Sequence, residues 1–133
     1  MGKGGAWSGW PAPLRARNKT ALRKAQNELS ESILKYAFYQ FLFFRQWEKL
    51  RKFAHERGIQ IIGDIPIFVA HDSADVWSHP ELFFLDKDGE PTVVAGVPPD
   101  AFSATGQLWG NPLYNWKAHK KEGYSWWLSR IKS

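Results

Sequence analysis

The 133-residue sequence contains no cysteine, so neither a disulfide framework nor a thiolate metal site is available. It also lacks a long apolar run, because the densest one, FYQFLFF at residues 38–44, is far too short to span a bilayer. The opening residues have no apolar segment typical of a signal peptide, and Ala6 stands where a myristoylation signal needs Ser or Thr. We therefore expect a soluble, cytoplasmic chain with no membrane partner.

Several catalytic and metal-binding motifs are missing as well. No G-x-S-x-G, P-loop or G-x-G-x-x-G sequence occurs. This excludes the nucleophile elbow of α/β-hydrolases and the usual glycine-rich loops that bind nucleotide phosphates. DKDGE at residues 86–90 looks like a calcium loop, but its Gly89 comes too early for an EF-hand, so we predict a hairpin turn. We predict no metal and no cofactor, since the other candidate ligands lack a compact zinc spacing: His71, Asp72, Asp75 and His79.

The net charge of +5 raises the question of a nucleic-acid partner. Its distribution argues against one, because basic and acidic residues alternate through the same predicted helical region, as on a solvated helix face. No RNP-type, helix-turn-helix or zinc-finger pattern accompanies the charge. We predict no nucleic-acid partner. The residues concerned are Arg23, Lys24, Lys35, Arg45, Lys49, Arg51, Lys52 and Arg57, with Glu28, Glu31, Glu48 and Glu56.

The first half of the chain has the order of an α/β fold. Apolar residues recur at helical spacing over residues 22–54, which predicts one long helix or two joined helices that end at Gly58. The β-branched run at residues 59–62 then predicts a buried strand, with Asp64 at its carboxyl end. In α/β folds this is the end at which active sites lie.

The second half is less regular. Ser73 is placed to cap a short helix through Trp77 that ends before Pro80. FFLDKDGEPTVVAG at residues 83–96 predicts two strands around an Asp-Gly turn, and a final helix is predicted over residues 116–131. The predicted divisions are residues 1–64, an inserted subdomain at 65–115 that carries an aromatic loop at 96–114, and the helical segment 116–133.

The loop sequence GVPPDAFSATGQLWGNPLYNW contains four aromatic residues among glycines and prolines. Such apolar surface is seldom left idle on a soluble protein, so this loop is expected to cover or grip a ligand. Carboxylates accept hydrogen bonds from neighbouring sugar hydroxyls, and aromatic rings cover the apolar face of a pyranose. The alternatives are that Asp64 caps a turn and that Trp109 and Tyr114 are core residues. The sugar-binding candidates are Asp64, Asp100, Gln107, Trp109, Asn111 and Tyr114.

Five collinear blocks resemble the amylomaltases, which are 4-α-glucanotransferases also called disproportionating enzymes: WSGWP, FFRQW, GDIPIFVA, SADVWSHPELF and GVPPDAFSATGQLWGNPLY. The resemblance implies part of a (β/α)8 TIM barrel of the α-amylase superfamily, because 133 residues fall below the ~250 of a closed barrel. It implies a retaining double displacement that transfers α-1,4-glucan segments between malto-oligosaccharides in starch or glycogen metabolism. The location would be the cytoplasm, or the plastid in a photosynthetic eukaryote.

The resemblance also assigns residues. It implies that Asp64 is the donor-site aspartate, that residues 98–106 fold over the bound glucan, and that Trp109 flanks this lid. Many family members have an aromatic residue where this chain has Ala101 and an acidic residue where it has Ala104, so the resemblance implies one stacking contact fewer at Ala101 and an otherwise intact loop. The expected substrate-binding residues are Asp64, Asp100, Ser103, Gln107, Trp109 and Asn111.

No catalytic residue is expected in this chain. The family's nucleophile lies in an R-I-D-H motif that would follow the final helix, and its acid/base glutamate lies later still. We therefore expect an interior piece of the enzyme, inactive alone and completed by the remainder of the barrel. The alternatives are a hydrolase of the same superfamily and a non-catalytic glucan-binding module.

Overall fold

The computed structural model describes residues 5–132 and shows a mixed α/β architecture, as predicted. It divides into two compact units, one of residues 17–64 and one in which residues 5–16 join residues 65–132. Short 3-10 turns lie at Trp7–Gly9 and Pro80–Leu82. The helices are α1 (Ala12–Arg15), α2 (Lys19–Glu28), α3 (Ser30–His55), α4 (Ala74–Ser78), α5 (Trp116–Lys121) and α6 (Ser125–Lys132), and the strands are β1 (Val94–Val97) and β2 (Gln107–Pro112).

The unit of residues 17–64 confirms the prediction of two joined helices. The Asn18 side chain caps α2 by accepting hydrogen bonds from the backbone N–H groups of Thr20 and Ala21, at 3.0 and 3.2 Å. The chain leaves α3 through Gly58, whose φ of 69° lies in the left-handed region that glycine tolerates best. No helix in residues 5–132 combines the length and apolarity needed to cross a lipid bilayer.

Helix α3 leaves most of its large apolar side chains exposed. Ala54 is its one buried residue. Many large apolar side chains exposed on one element are typical of a surface that contacts further protein. The exposed residues of α3 are Ile33, Leu34, Tyr36, Phe38, Tyr39, Phe41, Phe43, Phe44, Leu50 and Phe53.

The predicted buried strand at residues 59–62 is wrong in this structure. The segment forms no strand ladder, and Ile59 and Ile62 are 56% and 94% exposed. A strand exists only through hydrogen bonds to a neighbouring strand, and residues 5–132 provide none for this segment. Its β-branched composition indicates a preference for strand geometry that has no partner here.

The larger unit has an aromatic core beneath α4. The Ser73 hydroxyl oxygen accepts a hydrogen bond from the Val76 N–H at 3.3 Å, and Pro80 follows two residues after the helix ends, so the predicted capped helix is confirmed. Tyr114 lies in this core and is 4% exposed. The core residues are Trp7, Val69, Val76, Leu82, Phe83, Tyr114 and Trp126.

The Asp-Gly turn is confirmed, but its flanking strands are only partly as predicted. The Asp86 carboxylate accepts hydrogen bonds from the backbone N–H groups of Glu90 and Asp88 at 2.9 and 2.8 Å, and these bonds hold the pKa of Asp86 below its ordinary value. A single bridge, Leu85 to Pro91, flanks the turn. The second predicted strand pairs elsewhere, because β1 is antiparallel to β2.

The predicted single helix over residues 116–131 is two helices, α5 and α6. Gly123 and Tyr124 both adopt positive φ, at 69° and 57°, which ends α5 before α6 begins. Trp126 of α6 packs against Phe83 and Tyr114, so this segment belongs to the larger unit. Its role as the return helix of a barrel stays a prediction.

Candidate functional site

The predicted aromatic loop is largely an antiparallel hairpin. Strands β1 and β2 are joined by residues 98–106, here called the hairpin loop, and Val97 pairs with Gln107 at its base. The loop predicted at residues 96–114 is therefore too wide, because residues 96–97 belong to β1 and residues 107–112 to β2. This pairing could not be predicted from the residue types, because glycine and proline are depleted in strands. Gly96, Gly110 and Pro112 nevertheless lie within β1 and β2.

Gly106 closes the hairpin loop in a conformation that other residues adopt poorly. Its φ is 73°, and a Cβ built on it would lie 2.5 Å from the Val97 carbonyl oxygen and 3.0 Å from the Pro98 carbonyl carbon. Backbone atoms cannot move aside as a flexible side chain can. The hairpin therefore requires glycine at this position.

We expect Gly106→Ala to destabilise the larger unit by about 1–3 kcal/mol, the usual cost of one strained backbone conformation. Urea unfolding followed by near-UV circular dichroism measures the change. Gly9→Ala is the matched control, because a Cβ at Gly9 meets nothing within 4 Å. Equal midpoints for the two variants would show that the loop relaxes around the added methyl group.

Asp100 organises the hairpin loop from within. Its carboxylate oxygen Oδ1 accepts hydrogen bonds from the backbone N–H groups of Phe102 and Ser103, both at 2.8 Å. The Asp100 N–H donates to the Ser103 carbonyl at 3.0 Å, and the Ser103 hydroxyl donates to the Gly106 carbonyl at 2.7 Å. Two of the predicted sugar-binding residues thus bond to the loop itself.

Phe102 is the residue that sequence reasoning missed. The sequence shows it as one of four aromatic residues in the predicted loop and indicates no role for it, and the structure leaves 95% of it exposed. Leu108, at the start of β2, is 81% exposed. The sequence pattern that indicates this exposed position is an aromatic residue between the turn-forming residues Asp100 and Ser103. The hairpin therefore presents apolar side chains to solvent.

Trp109 lies on β2 and is half-exposed. Its indole Nε1–H donates a hydrogen bond to the Gln107 side-chain oxygen at 3.0 Å, and its ring meets Phe68 edge to face at a centroid distance of 6.0 Å. The ring retains 48% exposure. Its orientation is therefore set by Gln107 and Phe68, while part of its surface remains accessible to a ligand.

The base of β2 is anchored to the segment at residues 67–69. The Asn111 side-chain amide donates to the Val69 carbonyl at 2.9 Å, and the Tyr114 hydroxyl donates to the Ile67 carbonyl at 2.6 Å. Tyr114 is buried, so the core alternative is correct for it, whereas Trp109 keeps an accessible ring. Asn111 uses its donor group to hold the hairpin in place.

The structure places five of the six predicted substrate-binding residues on the hairpin. They are Asp100, Ser103, Gln107, Trp109 and Asn111, and the Asn111 side chain also anchors β2. Asp64 is exposed at the end of the smaller unit, in an irregular segment. Its predicted sugar contact stays a prediction.

His71 and Asp75, two of the four candidate metal ligands, have structural partners. The His71 ring Nε2 lies 2.7 Å from the Gly89 carbonyl, and an Asp75 carboxylate oxygen accepts a hydrogen bond from the Trp126 indole at 3.1 Å. Within residues 5–132, no three histidine or acidic side chains are grouped so that they could hold a metal ion.

Comparison with known proteins gives a consistent result. A family model described as 4-alpha-glucanotransferase matches residues 2–133. The 4-alpha-glucanotransferase of Thermus thermophilus is 59% identical over 126 residues, which cover 95% of this chain and 25% of that protein. The plastid 4-alpha-glucanotransferase of Solanum tuberosum is 50% identical over 127 residues, which cover 96% of this chain and 22% of that protein.

A solved structure agrees. The amylomaltase of Streptococcus agalactiae, determined in complex with acarbose, superposes with a TM-score of 0.91 and 46% identity. The match covers 96% of this chain and 26% of that one. The chain thus spans about a quarter of the length of these relatives.

Proposed function

Because the chain belongs to the 4-alpha-glucanotransferase family, we propose that it acts within an enzyme that moves α-1,4-glucan segments between malto-oligosaccharides. The reaction would be a retaining double displacement, with a covalent glycosyl intermediate. In this proposal the chain supplies substrate-binding and lid residues. The nucleophile and the acid/base come from the part of the enzyme that this chain does not cover.

The observation that carries the proposal is the exposed apolar surface of the hairpin. Phe102, Leu108 and Trp109 together offer rings and an aliphatic side chain to solvent. Such side chains match the C–H faces of a pyranose, and contiguous apolar surface on a protein often marks a binding site. A glucan chain is long enough to contact several of them at once.

A lid of this kind has a clear use in transfer. The covalent intermediate of a retaining enzyme reacts with water as readily as with a sugar hydroxyl unless water is kept away. An apolar lid over the bound glucan excludes water and keeps the acceptor close to the intermediate. The hairpin, whose loop ends at Gly106, is suited to this role.

Asp64 completes the proposed substrate contacts. Its carboxylate, placed at the predicted strand end, would accept hydrogen bonds from sugar hydroxyls in the donor site. In the whole enzyme, the exposed apolar residues of α3 would be covered by the rest of the (β/α)8 barrel.

The experiment uses a chimera in which residues 2–133 replace the matching segment of the Thermus thermophilus relative. Incubated with maltotriose, it should yield glucose and longer maltodextrins with no net gain of reducing ends. A net gain of reducing ends would favour the hydrolase alternative. Glucan binding without any product would favour the binding-module alternative.

We expect Trp109→Ala in this chimera to weaken transfer by about 1–3 kcal/mol, the scale of one lost aromatic stack. The measurement is kcat/KM for maltotriose. Trp10→Ala is the matched control, because Trp10 is a half-exposed tryptophan outside the hairpin. Unchanged kinetics with intact folding would remove Trp109 from the substrate contacts.

A further inference from the structure

The Asp100 carboxylate is already engaged within the hairpin loop. One of its oxygens accepts two backbone hydrogen bonds at 2.8 Å, from Phe102 and Ser103. This is an Asx-type arrangement, in which an aspartate side chain holds the backbone that follows it in a turn. A carboxylate that grips two sugar hydroxyls would need its oxygens directed at the ligand.

The backbone that Asp100 holds is that of Phe102. The Phe102 side chain is 95% exposed, so no packing contact fixes its position. Its orientation therefore depends on the backbone of the hairpin loop. Two hydrogen bonds restrain that backbone. The Phe102 N–H donates to the Asp100 carboxylate, and the neighbouring Ser103 hydroxyl donates to the Gly106 carbonyl at 2.7 Å.

We propose that Asp100 is a positioning residue, which holds Phe102 at the tip of the hairpin loop so that the ring contacts the glucan under the lid. The proposal deepens the proposed function and rests on it. Recognition at this end of the lid is then made by an apolar ring, and Asp100 acts through the backbone and not as a sugar ligand.

Positioning and direct binding both predict a loss for Asp100→Ala, but they predict different results for Asp100→Asn. Asp100→Asn keeps an acceptor oxygen for the two backbone N–H groups, and asparagine forms the same type of turn. Asp100→Ala removes that acceptor. A sugar contact that depends on the negative charge would be lost in both variants, whereas the turn is lost only in the alanine variant.

The kinetic test uses the chimera with Asp100→Ala, Asp100→Asn, Phe102→Ala and the double alanine variant. We expect Asp100→Ala to raise KM for maltotriose about tenfold with little change in kcat, the scale of losing one aromatic contact. Asp100→Asn should stay within about twofold of the unsubstituted chimera. The double variant should match Phe102→Ala, because interacting residues give non-additive effects.

Asp72→Ala is the control, since Asp72 is exposed and lies outside the hairpin. Equal losses in Asp100→Asn and Asp100→Ala would overturn the proposal. So would a double variant whose loss is the product of the two single losses, because independent contacts multiply.

Hydrogen exchange in the 133-residue chain separates this inference from the proposed function. The Phe102 and Ser103 amides should be protected in the unsubstituted chain and in Asp100→Asn, and should exchange at least about tenfold faster in Asp100→Ala. If the unsubstituted chimera transfers no glucan, the proposed function fails. Equal amide exchange in all three chains would overturn the positioning role of Asp100.

Discussion

The 133-residue chain, incubated alone with maltotriose, is expected to form neither glucose nor longer maltodextrins. A retaining mechanism needs two carboxyl groups about 5–5.5 Å apart, one as nucleophile and one as acid/base. The proposed function places both in the part of the enzyme that this chain does not cover, since the chain spans about a quarter of the length of its relatives. On the hairpin, the Asp100 carboxylate is held by backbone N–H groups.

Chromatography of maltotriose incubations over time measures this outcome, with the chimera as the positive control. The contrast should be complete, because removing one member of a catalytic pair already abolishes most of the rate enhancement. Glucose that accumulates together with longer maltodextrins would show that the chain holds an active carboxylate pair. Asp64 and Asp100 would then be the first residues to substitute.

Local structure could be predicted from the sequence because its causes lie within a few residues. The Ser73 cap and the Asp86 turn each depend on one side chain and its nearest backbone groups. The exit at Gly58 depends on the positive φ that glycine tolerates best. Helix α3 follows from apolar periodicity over residues 22–54.

Strand pairing could not be predicted in the same way, because it depends on distant residues. Residues 59–62 have a strand composition without a partner, while the glycine- and proline-containing β1 and β2 pair with each other. The break between α5 and α6 had one visible signal, Gly123. The positive φ of Tyr124 had none, since L-residues other than asparagine and aspartate rarely adopt it.

The sequence predicted a candidate site in this segment, but it could not assign roles to the residues within it. Hydrogen bonds at Asp100, Ser103, Gln107 and Asn111 are directed to the hairpin or to its anchor. Tyr114 is core and Phe102 is exposed, although both are aromatic residues of the same segment. Burial is decided by tertiary packing, which residue type alone does not specify.

Tyr114 should show the largest stability effect. Its ring lies 5.2 Å from that of Phe83 and 5.7 Å from that of Trp126, and its hydroxyl donates to the Ile67 carbonyl at 2.6 Å. Tyr114→Ala removes a nearly fully buried ring, so we expect a loss of about 3–5 kcal/mol in the free energy of unfolding. Tyr114→Phe should cost about 1 kcal/mol, because only the hydrogen bond is lost.

Urea unfolding of the chain measures both variants, with the exposed Tyr36→Ala as a control that should change stability little.

Burial raises the pKa of Tyr114 above its ordinary 10.0. The stabilisation that the neutral Tyr114 side chain provides is therefore fully present at pH values below its ordinary pKa, and it is lost as the pH rises through the higher folded-state pKa. Tyr114→Phe should weaken this alkaline decline, because phenylalanine does not ionise. If the decline in stability at alkaline pH is the same in Tyr114→Phe, other groups cause it. If Tyr114→Ala loses no more unfolding free energy than Tyr36→Ala, Tyr114 is not a core residue.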